Sequence, residues 1–218
     1  MGEPEAAPLL ILCALEAELA PLRPLLEGRP GIRLAVTGTG PRLASTAARR
    51  LVPASRMVVS LGCCGALRDG AGPGLLVIPR RVLREEGPVA DPDPGWVSSA
   101  VAAAQHLGFL VDEGPLLSVS APLLDPASKH AQATRTGAIA VDMETAAIGA
   151  VAAELGRPYL CVRVVLDTVD ESLPGASSAE ALTLPALRAR LQQVAVRPAQ
   201  CLCELLDESR SLRSAPPR

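Results

Sequence analysis

The sequence predicts an α/β protein, a single domain whose mostly parallel sheet is flanked by helices. Short apolar runs of strand length recur at 9–15, 32–36, 57–61, 137–141 and 159–166, most of them without the polar alternation of a half-exposed sheet. Such unbroken runs are the pattern of strands covered on both faces. Segments with helical spacing stand between them, and acids or glycines mark the corners where strand gives way to helix. In an open α/β sheet, corners at the carboxyl ends of strands are where ligands sit.

A chain of 218 residues that is 49% hydrophobic can bury one core of this kind. No repeat and no linker divides it, so the reading is one domain over 1–208. The polar, basic stretch 209–218 is expected to be a disordered tail. A net charge of -2 with scattered basic residues carries no footprint for nucleic acid.

The cysteines at 13, 63, 64, 161, 201 and 203 lie mostly inside apolar runs, and their spacing matches no zinc site. They are read as reduced, buried and cytosolic, with no metal expected. The acidic start Met1–Glu5, and Glu16 and Glu18 after the first apolar run, argue against a signal peptide. No stretch approaches the roughly twenty uncharged residues of a membrane span. The expectation is a cytoplasmic protein, with contact at a membrane surface left open.

Taken in order, Leu9–Leu15 is the first strand, and a helix carrying Leu19, Leu22, Leu25 and Leu26 follows until Gly28 and Pro30 end it. A strand at 32–36 leads through Gly38-Thr39-Gly40 into a helix over 41–51. Two glycines there allow close backbone approach to a ligand, although an ordinary tight turn fits equally well. Met57–Leu61 is the next strand, and Gly62-Cys63-Cys64-Gly65-Ala66 reads as a loop whose amides face a ligand.

Leu75–Ile78 reads as a strand, and the charged, proline-containing 80–95 as a surface loop. Val97–Leu107 reads as a helix stopped by Gly108, Gly114–Ser120 as a strand and 121–128 as a loop. Then Asp142-Met143-Glu144 closes a short apolar strand and opens an alanine-rich helix. Tyr159–Leu166 ends in Asp167. If these last two strands are parallel neighbours, Glu144 and Asp167 emerge at one edge. The segment 168–178 reads as a lid, and 182–206 as amphipathic helix broken near Pro198.

Acids at three corners and glycines at two suit cleavage of a glycosidic bond. One acid protonates the leaving group while another activates water, and the sugar develops oxocarbenium character between them. At these residues the chain resembles the purine nucleoside phosphorylase and methylthioadenosine nucleosidase superfamily. The resemblance rests on Ala14–Glu18, Gly38–Gly40, Leu61–Ala66, Val141–Glu144 and Arg163–Asp167, in that order along the chain. Within it, the short chain, the Asp-Met-Glu motif, Asp167–Pro174 and Arg197–Gln200 are similar to the hopanoid-associated branch, whose members process adenosylhopane.

The resemblance implies a nucleoside phosphorylase-like three-layer α/β/α fold with a central mixed, mostly parallel twisted sheet. It implies Asp167 as the acid that protonates N7 of the departing purine, and Glu18 as the group that orients or deprotonates water. It implies Glu144 as acceptor for the ribose hydroxyls with Met143 packed on the sugar. Gly62 and Cys63 would line the ribose and nucleophile region, with Gly38 in the glycine corner. Asp142 and Arg163 complete the expected substrate-binding set. Asp142 also fits a plain helix cap, Glu18 a solvated helix-face charge, and Arg163 in an apolar strand wants a buried partner.

The implied reaction releases adenine from a 5′-modified adenosine and needs no cofactor, with inorganic phosphate as co-substrate only for a phosphorylase. Ser60 and Cys63 stand where the phosphorylases carry an arginine and a serine, and Glu18 would repel an anion, which favours water. Arg42 is the residue most able to reverse that preference. No phenylalanine stands where the family stacks its purine, leaving aliphatic groups such as Leu123. The alternatives are a methylthioadenosine or adenosylhomocysteine nucleosidase, and an inactive nucleoside-binding protein. A homo-oligomer, a dimer or larger, is also implied.

Overall fold

The computed structural model describes residues 7–87, 89–174, 180 and 185–214. Among the described residues nine strands form one mixed sheet: β1 (Leu9–Cys13), β2 (Ile32–Val36), β3 (Met57–Ala66), β4 (Leu76–Val77), β5 (Val82–Arg84), β6 (Val111–Asp112), β7 (Leu116–Ser118), β8 (Ala140–Asp142) and β9 (Tyr159–Asp167). Their order is β5-β7-β8-β3-β9-β4-β6, and β1 pairs with β2 and with the first half of β3. Only β3–β8 and β4–β9 are antiparallel, so the expected mixed, mostly parallel sheet is present.

Helices cover both faces. α1 (Glu16–Leu19), α2 (Arg23–Leu26), α4 (Pro94–His106), α7 (Pro185–Val194) and α8 (Val196–Ser214) lie on one side. On the other are α3 (Pro41–Leu51) and α6 (Thr145–Glu154), which pack on each other. α5 (Pro126–Thr136) lies near the end of β9. β9 shows why the apolar runs are unbroken: Leu160, Val162, Val164 and Leu166 face the first helix layer, and Tyr159, Cys161 and Val165 the second. Each neighbour in sequence is therefore buried, on opposite faces.

Several expectations change. The glycine-rich 62–66 is strand, not loop, because it pairs with β9 on one side and β8 on the other, with a bulge at Cys64/Gly65. The surface loop over 80–95 contains β5, which pairs with β7. The helix after β1 is two short helices. The C-terminal break falls at Ala195 rather than Pro198, which sits in the first turn of α8, where a missing N–H costs nothing. α8 runs to Ser214, past the boundary expected at 208, and the end of the expected tail lies outside the described residues. The lid at 168–178 is described as far as Pro174, where Leu173 N–H bonds Leu124 O at 2.7 Å.

The six cysteines are unpaired, and all but Cys63 and Cys203 are buried. Among the described residues no helix is long and apolar enough to cross a membrane.

Gly149 in α6 is where the helix touches the sheet. A Cβ there would come within 2.6 Å of Tyr159 Cζ, and the Tyr159 hydroxyl is tied to Ala90 O. Gly149→Ala gains about 1 kcal/mol of helix propensity but loses about 1–3 kcal/mol to overpacking. A net loss of stability is expected in urea denaturation. A variant as stable as the parent would refute this packing.

Candidate active site

Four carboxyl groups, those of Glu18, Asp142, Glu144 and Asp167, line one cavity of about 120 Å³ with Cys63, Cys64, Met143 and several aliphatic side chains. That volume is larger than a packing defect. β8 and β9 are not the parallel neighbours expected from the sequence. Both pair with β3, β9 parallel and β8 antiparallel, and Gly65 is the partner of Val141 and of Asp167. The corner after β8 and the end of β9 thus meet at one glycine, where a Cβ would lie 3.1 Å from Asp167 Oδ2.

Glu18 is 6% exposed and so is not a solvated helix charge. Its Oε2 accepts from Ala14 and Leu15 N–H at 3.1 and 3.0 Å, closing the entry to α1, while Oε1 accepts from Cys63 N–H at 2.8 Å. Burial pushes its carboxyl up, against the pull of Arg163 and those three amides. Gly62 lies behind it: a Cβ would meet Arg163 Nη1 at 2.6 Å and Glu18 Oε1 at 2.7 Å. Gly62 therefore makes room for two charged groups rather than lining the cavity. Burial pushes the Cys63 and Cys64 thiols well up, which keeps them protonated and poor nucleophiles.

Glu144 Oε1 accepts from Gly40 N–H at 2.7 Å. Within the glycine corner it is Gly40, not Gly38, that reaches the acid. Gly38 takes φ +83° against Leu43, where a side chain would be strained. Burial, and then the Asp142 charge, push the Glu144 carboxyl up to about 7, while Arg163 and the Gly40 amide pull it down.

Asp142 lines the cavity but spends its oxygens inward. Oδ2 accepts from Arg163 Nη2 at 2.7 Å and Nε at 3.1 Å, and from Thr145 N–H at 3.0 Å as a helix cap does; Oδ1 accepts from Ser118 Oγ. Arg163, expected at the substrate, is 1% exposed and stands behind the cavity. It also donates to Ser60 and Thr145 hydroxyls, both at 2.8 Å. Burial disfavours its charge, but Asp142 and the other nearby acids outweigh this and hold the guanidinium above its ordinary value.

Asp167 Oδ2 accepts from Lys129 Nζ of α5 at 2.6 Å. Burial pushes the Asp167 carboxyl up, and the Lys129 ammonium opposes this. Lys129, Ser118 and Thr145 were not singled out from the sequence, and Ser60 was noted only as standing where the phosphorylases carry an arginine. Arg163 in an apolar strand signalled that buried partners existed, but nothing in a polar helix marked Lys129. Arg42 lines a separate cavity with Arg49 and Arg84, and no lysine or arginine is among the described residues lining the site. Phe109 and Tyr159 also lie outside the lining. Among the described residues no cluster of three His, Cys, Asp or Glu could hold a metal.

The family model described as Phosphorylase superfamily matches residues 25–207. The chain belongs to that superfamily. No curated protein matches it. Among solved structures it is similar to a variant of the methylthioadenosine nucleosidase of Helicobacter pylori with 5′-methylthioadenosine in the active site. Identity there is 18%, covering 93% of this chain and 99% of that one, with TM-score 0.79. It is also similar to the 5′-methylthioadenosine/S-adenosylhomocysteine nucleosidase of Neisseria meningitidis in complex with methylthio-immucillin-A, at 21% identity, 93% and 99% coverage and TM-score 0.79. The futalosine hydrolase of Helicobacter pylori matches at 18% identity, 93% and 98% coverage and TM-score 0.79. At such identities the likeness establishes the fold.

Glu144 sets a pH dependence. Its folded value of about 7 lies above the ordinary 4.5, so the folded state binds more protons than the unfolded state between those values. The stability contributed by that proton is full below the unfolded value and is lost as pH rises through about 7. Relative to wild type, Glu144→Gln should gain on the order of 3 kcal/mol across this range. Urea midpoints from pH 4.5 to 8 check this, and parallel curves would refute it.

Proposed function

We propose that this chain hydrolyses the N-glycosidic bond of a 5′-modified adenosine and releases adenine. The observation that carries the reading is the meeting of Glu18, Glu144 and Asp167 in one cavity with no lysine or arginine among the described residues that line it. Asp167, with its carboxyl pushed up by burial, gives its proton to N7 of the purine as the C1′–N9 bond breaks. Glu144 accepts hydrogen bonds from the ribose hydroxyls, and Met143 packs on the sugar. Glu18, pinned by three backbone amides, takes a proton from the water whose oxygen bonds to C1′. The chemistry calls for no cofactor.

Water is favoured over phosphate by electrostatics. An anion about 4 Å from one carboxylate is repelled by about 4 kcal/mol at intermediate dielectric, and this cavity offers several carboxyl groups. Phosphate binding would need guanidinium or ammonium donors in compensation. Arg42 is turned to a different cavity.

The substrate reading is a purine held by aliphatic packing, Val119 and Leu123 being on the lining, and an apolar 5′ substituent beside Leu166, Leu173 and Leu187. Those leucines favour adenosylhopane, as the resemblance to the hopanoid-associated branch suggests. A second reading, a small 5′-thioadenosine, draws on the ligands bound in the solved relatives.

The test is adenine release from adenosylhopane in detergent and from 5′-methylthioadenosine, each with and without phosphate. Release from the lipid nucleoside should be faster and independent of phosphate. Asp167→Asn should lower kcat by about 100-fold or more. Strict dependence on phosphate would overturn the hydrolytic reading. A rate for Asp167→Asn within a few-fold of wild type would overturn the acid.

A further inference from the structure

Of the 21 lysines and arginines in this chain, Lys129 is the only lysine. It is 0% exposed. A buried ammonium is tolerated only when its charge is balanced and its three donors are satisfied. Here each donor has an acceptor: Asp167 Oδ2 at 2.6 Å, Thr168 O at 2.8 Å and Glu171 O at 2.7 Å. None is left for a ligand, and Lys129 does not line the cavity.

The two carbonyls account for a structural role, since Lys129 ties down the chain leaving β9. Arg190 of α7 holds the same segment from another side through Leu166 O and the Glu171 carboxylate. The third donor goes beyond that role. It is spent on the one carboxyl group at the end of β9 that lines the cavity, and it occupies Oδ2, so that Oδ1 is the oxygen available to carry a proton. An arginine would supply charge in a planar fork, whereas these three acceptors surround a compact, roughly tetrahedral donor.

Resting on the hydrolytic reading above, we propose that Lys129 is a positioning residue for the general acid, fixing the proton on Asp167 Oδ1 and keeping that acid strong enough to release it. The charged and titratable groups facing Asp167 are Lys129 from α5, Glu171 from the following segment, Arg190 from α7 and Cys64 from β3, with Glu18, Cys63, Asp142 and Glu144 lining the same cavity. Burial alone would make Asp167 hold its proton too tightly. The adjacent Lys129 ammonium favours the ionised carboxylate and so opposes that effect of burial.

The test is the pH profile of kcat at saturating nucleoside for wild type, Lys129→Met and Asp167→Asn. The active acid must be protonated, so the rate falls as pH rises through its pKa. In Lys129→Met that alkaline limb should move up by about one pH unit or more. Its plateau should drop about ten-fold or more while KM stays within a few-fold. A merely structural lysine would lower the plateau and leave the limb in place, and an unmoved limb overturns the proposal.

Loss of activity in Asp167→Asn together with an unmoved limb in Lys129→Met would sink this inference and leave the proposed function standing. Unimpaired Asp167→Asn would sink the proposed function itself. If Lys129→Met does not fold, the wild-type protein provides the readout. With a single lysine, lysine-specific nitrogen-15 labelling gives one side-chain ammonium signal. That signal should shift with pH across the range of the kcat limb, and a flat signal overturns the proposal.

Discussion

The guanidinium of Arg163, buried in the middle of the central strand β9, is the charge around which the rest of the site is arranged. Leaving such a charge unpaired in the interior would cost several kcal/mol, so its neighbours are constrained to answer it. Asp142 at the end of β8, Ser60 on β3 and Thr145 at the start of α6 supply the answering acceptors. These contacts fix the corner that carries Met143 and Glu144. Gly62 has no side chain because Arg163 and Glu18 occupy the space on either side. The same charge pulls Glu18 and Glu144 down against the burial that pushes both up.

Four acids in one cavity would repel each other if all were ionised, and the structure gives each a different environment. Asp142 has the guanidinium, the hydroxyls of Ser118 and Thr145, and a capping amide. Glu18 has three backbone amides and Glu144 one. Asp167 has an ammonium. Differences of this kind separate carboxyl groups that keep their protons from those that lose them, which is how one pocket can hold both an acid and a base. The aliphatic walls contribute by excluding water that would otherwise level the four environments.

How far the sequence could be read varied with the length of each element. β1, β2, α3, α6 and β9 stand close to where periodicity puts them, because their patterns persist over enough residues to be unmistakable. β4, β5 and β6 have two or three residues each and acquire strand character only from their partners. The second half of β3 was hidden by its glycines, which usually mark turns, but here serve close approach of Glu18, Arg163 and Asp167 to the backbone. Glu18, Glu144 and Asp167 could be singled out because each follows a strand. Lys129 could not, since its helix looks like any polar surface helix.

The sequence alone determined that the long inner strands β1 and β9 are covered on both faces and which corners carry acids, because hydrophobic period and residue type are local properties. The pairing of those strands was decided only in three dimensions. β8 and β9 are joined by a helix but separated by β3, and their acids meet because a ten-residue strand reaches far enough to pair with both. Proton affinity was likewise a tertiary outcome. It depends on burial and on charges tens of residues away in sequence, such as Lys129 beside Asp167 and Arg163 behind Glu18.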